Sequence, residues 1–282
     1  MKFYNELSQS RFKYISRSTR GHFDTFHMHH GMEFLYIFAG SVLMVLENRI
    51  FQVGPGTLVL LQPFQLHRIE PDREQSYERT VLIFDPYHMD NRLQPYPQFQ
   101  RFFQYLWKEK LPVQLIRHPM LDQLFQHGKD YLFDSSAKDE KSEQLTFFVN
   151  SILQALYWIW NTLDETSAGP SSPRSNHYAE YVMKWIDQHF HEELNLDQLA
   201  DLVHLSPYHL SRMFHHATGS TITEHIAARR LREACFLLQT SNLSVKLIGE
   251  RIGYPNFSYF CRIFKKHMGK SPREYRDMFE IG

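Results

Sequence analysis

Four histidines and a glutamate fall within twelve positions of the stretch GHFDTFHMHHGMEFLYIFAG, residues 21–40. Among them, His27, His29 and Glu33 have the spacing of metal ligands. Imidazole nitrogens and a carboxylate oxygen together suit a divalent transition metal. Alternate side chains of a strand share a face, so His27 and His29 would point the same way. The same groups could instead hydrogen-bond a small ligand, or occupy a barrel mouth with no ligand at all. Residue types alone leave these three readings open.

The surrounding sequence supplies the strands that such a cluster needs. Between residues 20 and 85, EFLYIFAG, VLMVLENRIFQV, TLVLLQP and RTVLIFD are short runs rich in Val, Leu, Ile, Phe and Tyr, punctuated by Gly, Pro and Asn. Several short strands at this spacing predict a β-sandwich or barrel. After Pro97 the apolar spacing becomes helical. Leu145, Phe148, Val149, Ile152, Leu153, Leu156, Ile159 and Trp160 form a broad stripe on a helix expected from Ser142 to Leu163. That stripe has two readings, a core face or a helix pair between subunits. DETSAGPSSPRSN, residues 164–176, reads as a linker, being rich in Ser, Gly and Pro. Everything beyond it reads as helix broken by short turns.

Composition narrows the function classes. At 282 residues, 43% of them hydrophobic, the chain can build two folded domains. The densest apolar run, ALYWIW (155–160), is too short to cross a membrane, and the first residues do not read as a signal peptide. Cys235 and Cys261 form no CxxC pair, which fits a reducing cytoplasm. Net charge is zero, but the average hides an asymmetry. Residues 205–276 hold twelve Lys/Arg against four acids, a local net of +8 that the rest of the chain balances. A local basic segment is an electrostatic footprint for nucleic acid.

Read with wildcards, residues 21–40 are G-x5-H-x-H-x3-E-x6-G, which is similar to the first motif of cupin barrels. GPGTLVLLQPFQLH, ending at His67, resembles the second cupin motif less closely. Six residues rather than five separate Gly56 from Pro63, and Gln65 and Pro71 stand where Gly and Asn are usual. The resemblance implies that His67 joins His27, His29 and Glu33 around a metal or a ligand. Phe23, Phe26, Phe34, Tyr36 and Phe64 are candidates for stacking on a sugar ring or for barrel core.

The basic segment contains an internal repeat. LSRMFHHATGSTITE (210–224) aligns without a gap with FCRIFKKHMGKSPRE (260–274): Leu210 with Phe260, Arg212 with Arg262, Phe214 with Phe264 and Gly219 with Gly269. Upstream the register slips by one, so that Ala200 matches Gly249. Each copy reads as helix-turn-helix. Asn195 caps the first helix, a turn follows at His204-Leu205, and Ser206-Pro207 starts the second helix. In the other copy Gly253 takes the turn and the next helix begins near Asn256. With Leu210, Met213 and Phe214 buried in one copy and Phe260, Ile263 and Phe264 in the other, Tyr208, His209 and Arg212 face outward, as do Asn256, Ser258, Tyr259 and Arg262. A helix fits the DNA major groove, where Arg can pair with guanine and Asn with adenine. Lys265 and Lys266 are placed for phosphate contacts. Between the copies, TITEHIAARRLREACFLLQ predicts one amphipathic spacer helix.

LIGERIGYPNFSYFCRIFKKHMGKSPREYR (247–276) resembles the signature of the AraC/XylS family of transcription regulators. The matching elements are Ile252-Gly253-Tyr254, Ser258-Tyr259-Phe260, Arg262, Phe264-Lys265-Lys266, Gly269, Ser271-Pro272 and Glu274-Tyr275-Arg276. Gly249 departs from the usual Ala and is expected to loosen its helix slightly. Pro255 replaces a more polar residue. The resemblance is close over residues 178–278 and holds only in outline before them. It implies two helix-turn-helix units reading consecutive major grooves, and an N-terminal arm that senses a small molecule without catalysis.

The expected architecture is therefore multidomain. A cupin-like sensing barrel (1–95) with a helical extension for dimerisation (96–163) precedes the linker (164–176) and an all-α DNA-binding domain of two helix-turn-helix units joined by a long helix (177–282). The expected function is a sequence-specific, cytoplasmic transcription activator. Its expected partners are double-stranded promoter DNA, a sugar-like effector, RNA polymerase and a second copy of the chain, with no membrane. The pocket residues are His27, His29, Glu33 and His67, with a divalent transition metal as an open alternative occupant and no cofactor required. The competing reading is a metal-dependent cupin enzyme of dioxygenase or isomerase type whose C-terminal half binds a partner.

Overall fold

The computed structural model describes residues 2–4, 7, 11–19, 23–46, 48–72, 74–109, 111–112, 114–128, 138–162 and 177–277. Among the described residues, ten strands form two five-stranded sheets. The first contains, in order, β1 (Lys2–Tyr4), β3 (Phe23–His29), β8 (His67–Pro71), β5 (Val42–Leu46) and β6 (Arg49–Val53). The second contains β10 (Leu115–Ile116), β7 (Thr57–Leu61), β4 (Met32–Ala39), β9 (Glu78–Phe84) and β2 (Phe12–Ser18). Neighbouring strands are antiparallel except β1 and β3.

Period-two alternation sorts the side chains into layers. On β4, Leu35 and Ile37 point between the sheets, with Val59 and Leu61 of β7, Val81 and Ile83 of β9, and Met44, Val53 and Ile69 of the first sheet. The alternate residues Phe34, Tyr36, Leu58, Leu60, Leu82 and Phe84 point outward from the second sheet. Both faces of this sheet are apolar, which explains why β7 is buried at every position.

Helices cover that outer face. α1 (Pro86–Arg92), α2 (Pro97–Lys108) and α3 (Pro119–Gln126) each begin with proline, whose fixed φ and missing N–H suit the first helical turn. α4 (Lys138–Trp160) lays Leu145, Phe148, Val149, Ile152, Leu153, Leu156 and Ile159 against the sheet. The apolar stripe read from the sequence is thus core, while Phe147 and Trp158 stand outward at 71% and 66% exposure. The expected linker, 164–176, lies outside the described residues.

Seven helices follow: α5 (His177–His189), α6 (Leu196–Leu202), α7 (Pro207–Thr218), α8 (Ile222–Thr240), α9 (Val245–Arg251), α10 (Phe257–Met268) and α11 (Pro272–Asp277). They are packed against the outer face of the first sheet. The cause is the outward apolar set of that sheet. Phe26, Val45, Ile50 and Leu66 share a core with Leu210, Phe214 and Ala228, and Met28 and Phe64 share one with Leu231, Cys235 and Tyr275.

Candidate DNA interface and barrel site

The first helix-turn-helix is α6–α7 and the second is α9–α10. Asn195 caps α6 in a reciprocal capping box with Gln198. Ser206 caps α7 by accepting from the His209 N–H, with Pro207 in the first turn. The two inter-helix turns need a left-handed residue and solve this differently: Gly253 adopts φ +83° and His204 adopts φ +54°. Glycine carries no Cβ penalty there, so the first copy holds a mild strain that the second lacks. Gly219 and Gly269 end the two reading helices in the same left-handed conformation.

Burial falls as the repeat requires. Leu210, Phe214, Phe260 and Phe264 are fully buried, with Met213 and Ile263 half-buried beside them. Tyr208, His209 and Arg212 on α7 are exposed, as are Ser258, Tyr259, Arg262, Lys265 and Lys266 on α10. Tyr208 reaches 76% exposure. The Arg262 guanidinium lies over the Tyr259 ring, 5.4 Å from its centroid. Stacking of this kind orders a long side chain before it meets a ligand. Asn256 is exposed, but its Oδ1 accepts from the Tyr259 N–H at 2.9 Å. The amide oxygen therefore caps α10, so bidentate contact with adenine would require giving up that cap.

Part of the basic excess is structural. Arg229 bridges Asp187 and Glu233 at 2.6 and 3.0 Å. Arg230 donates to the Phe190 and Glu192 carbonyls, and Arg276 to those of Leu238 and Leu243. Sequence reading also passed over Phe257, which opens α10 at 45% exposure next to the expected reading residues. Its apolar type gave no sign of this, and only the helix boundary places it outside.

Gly249 departs from the usual Ala for a packing reason that the sequence reading did not foresee. A Cβ there would lie 3.0 Å from Phe260 Cδ1 and 3.2 Å from the Tyr254 carbonyl oxygen.

In the barrel, β3, β4 and β8 bring His27, His29, Glu33 and His67 into the interior, each at most 4% exposed. His27 lies opposite His67 across the β3–β8 pair. Ligand atoms of His29, Glu33 and His67 all fall within 4.8 Å of one another. His27 is adjacent, its ring 4.1 Å from that of His67 between centroids, but outside the converging trio.

The hydrogen bonds around the rings suit ligation through Nε2. His29 Nδ1 and His67 Nδ1 each lie 2.9 Å from a backbone carbonyl, of Gly31 and Gln65 respectively. Those contacts require Nδ1 to carry the proton, which leaves Nε2 as the lone pair in a neutral ring. His67 Nε2 is buried without a hydrogen-bond partner and lies 3.9 Å from Glu33 Oε2. Burial pushes the His67 pKa down to about 4 despite the nearby Glu33 charge, so the ring is neutral at pH 7. His29 Nε2 lies 2.7 Å from Glu33 Oε2. With Nδ1 donating to Gly31, that contact is a hydrogen bond when Nε2 also carries a proton, and the two atoms are close enough to be neighbouring ligands of one ion. Burial would raise the Glu33 pKa, but the His29 hydrogen bond, with help from the charge of Arg79, holds it below the ordinary value. Two imidazoles and a carboxylate held in this way fit a divalent transition metal.

Apolar side chains surround these residues. Leu35, Met44, Leu61, Ile69 and Ile83 fill the interior, each at most 5% exposed. The aromatic candidates face elsewhere. Phe34 and Tyr36 belong to the helix-covered core, Phe26 and Phe64 meet the C-terminal helices, and the Phe23 side chain is outside the described residues.

Comparison with known proteins places this geometry. The AraC-like ligand binding domain family matches residues 11–157, more than half of the chain, and a helix-turn-helix domain family matches residues 199–278. The bifunctional transcriptional activator/DNA repair enzyme AdaA of Bacillus subtilis is 35% identical over 104 residues, covering 37% of this chain and 49% of that protein. The MmsAB operon regulatory protein of Pseudomonas aeruginosa is 36% identical over 98 residues, covering 35% and 32%. The xylose operon regulatory protein of Escherichia coli is 36% identical over 97 residues, covering 34% and 25%. The chain thus spans half or less of the length of these relatives. Among solved structures, the C-terminal domain of AraT, a response regulator from Geobacillus stearothermophilus, shows 33% identity at a TM-score of 0.37, covering 38% of this chain and 88% of that one. With a ligand-binding barrel domain joined to a double helix-turn-helix, the chain belongs to the AraC/XylS family of DNA-binding transcription regulators.

Proposed function

We infer that this chain is a sequence-specific, effector-responsive transcription activator that acts in the cytoplasm as a homodimer together with RNA polymerase. The observation that carries the reading is the pair of equivalent helices, α7 and α10, whose Arg212 and Arg262 occupy the same repeat position and are both exposed. Activation is supported by the name of AdaA, and dimerisation by the outward Phe147 and Trp158 of α4. No described helix is long and apolar enough to cross a membrane.

The barrel trio is read as an ion site rather than a sugar site, on the strength of the unpartnered His67 Nε2 and the filled interior. The enzyme alternative is not favoured, because at this burial the trio offers an organic substrate no approach among the described residues. The strands that carry the trio also carry the contact with the DNA-binding helices. On β3, His27 and His29 face inward while Phe26 and Met28 face the helices. On β8, His67 faces inward while Arg68 lies against Gly219, at the C-terminal end of α7. A change at the inner face therefore has a short route to the reading helices, provided that one arrangement binds the effector better.

Genome-wide mapping of DNA bound by the chain tests this reading. Discrete promoter sites containing two half-motifs about one helical turn apart are expected. Uniform or absent DNA association would refute it.

A further inference from the structure

The two helix-turn-helix units agree at Arg212 and Arg262 but not in the cations that follow. The next outward pair is Lys265-Lys266 on α10 and His215-His216 on α7. All four side chains are exposed. Both pairs stand in the last turn of their helix, ahead of the left-handed glycine that ends it.

Helical spacing ties each pair to its reading face, because residues three and four apart are neighbours on a helix surface. His215 continues the row Tyr208–Arg212, and His216 continues the row His209–Arg212. Lys265 and Lys266 continue Ser258–Arg262 and Tyr259–Arg262 in the same way. A surface that meets DNA at Arg212 therefore brings His215 and His216 to the backbone, as Arg262 brings the two lysines.

The charged groups around α7 are engaged elsewhere. Helices α5, α6 and α8 pack against it, and Arg68 of β8 lies beside Gly219 at its end. On α5, Asp187 is held by Arg229 and Glu180 accepts from the Ile50 N–H, while Lys184 is exposed. On α8, Glu224 accepts from Thr221, Arg229 also bridges to Glu233, and His225 is buried between Phe26 and Phe214. Arg68 is paired with Glu70. Asp197 and Asp201 of α6 are exposed and make no ion pair with either histidine among the described residues. A DNA phosphate would thus meet no competing acid at this pair.

Lysine keeps its charge across the neutral range, whereas histidine changes charge within it. A phosphate beside an imidazole favours the charged form. We propose that His215 and His216 are the phosphate contacts of the first helix-turn-helix and make them as imidazolium, so that this unit takes up protons from solvent when it engages DNA. The second unit engages through Lys265 and Lys266 without that requirement. Mildly alkaline pH then leaves the chain held mainly by its second unit, and lower pH engages both. The proposal rests on the DNA-reading assignment of α7.

The test is a salt titration of the full chain with a mixed-sequence duplex at about pH 8 and about pH 6, since phosphate contact is independent of sequence. The parent chain should bind several-fold tighter at the lower pH. The double variant His215→Gln with His216→Gln should lose most of that gain. Its salt slope at the lower pH should be smaller than the parent's by about two, roughly 0.9 for each contact removed. The double variant His215→Lys with His216→Lys should bind at the higher pH about as tightly as the parent does at the lower. Thermal melts at both pH values confirm folding. An undiminished pH response in the glutamine variant, or no gain at the higher pH in the lysine variant, would overturn the proposal and leave DNA reading standing. Absence of duplex binding by the parent at both pH values would overturn DNA reading and the proposal with it.

Discussion

Gly249 and Phe260 are packed so closely that a Cβ on the glycine would lie 3.0 Å from the ring. In the first helix-turn-helix the same two places are held by Ala200 and Leu210, both fully buried. The two copies thus fill one inter-helix space in complementary ways, a smaller residue opposite a larger one. Gly249→Ala should gain about 1 kcal/mol of helix propensity and lose it again against the ring and the Tyr254 carbonyl. With Phe260→Leu in place, the same change should become stabilising. Denaturant unfolding of the two single variants and the double variant should show a coupling of about 1 kcal/mol, whereas additivity within about 0.5 kcal/mol would refute the size exchange.

His225 is sandwiched between Phe26 of the barrel and Phe214 of α7, with ring centroids 5.9 and 5.7 Å away. Burial pushes its pKa down to about 4 from the ordinary 6.5, Asp187 acting to raise it and Arg229 to lower it. The folded state therefore binds fewer protons than the unfolded state between those values. The stability associated with His225 is complete above pH 6.5 and is lost as pH falls toward 4. His225→Phe, which keeps the ring packing, should flatten the fall in melting temperature between pH 6.5 and 4 relative to the parent chain. An unchanged slope would show that His225 does not titrate across this window.

The trio in the barrel predicts a metal response. Zinc added to chelator-treated protein should raise the melting temperature, and elemental analysis should find one ion per chain. His67→Ala and Glu33→Gln should each lower affinity by about ten- to a hundredfold or more, at least as much as losing a hydrogen-bond partner of a ligand costs. His27→Ala should matter less, since His27 lies outside the converging atoms. Equal losses for His27 and His67 would place His27 among the ligands.

Much of this was legible because it rests on local rules. Caps at Asn195 and Ser206 and the left-handed turn at Gly253 follow from residue type and position. The parity of β3 made His27 and His29 point inward together. The docking of the helices was not legible, because Phe26, Met28 and Phe64 look like barrel core whether a sheet or a helix covers them. Their position in a doubly covered sheet is a tertiary fact. The filling of the interior was hidden for the same reason: the pattern places the inward residues but does not reveal how completely Leu35, Leu61 and Ile83 fill the space among them. The second role of Asn256 became visible only once its Oδ1 had a partner.

The central claim is that α7 and α10 read DNA through Arg212 and Arg262 while Lys265 supplies phosphate contact. The most direct test is a salt-dependent titration of a bound promoter duplex and a scrambled duplex with the parent chain and three variants. Arg212→Ala and Arg262→Ala should each cost about 1–3 kcal/mol on the promoter duplex and little on the scrambled one, narrowing the gap between them. Lys265→Ala should weaken both duplexes alike and reduce the salt slope by about one. Promoter preference and salt slope unchanged in all three variants would contradict the account.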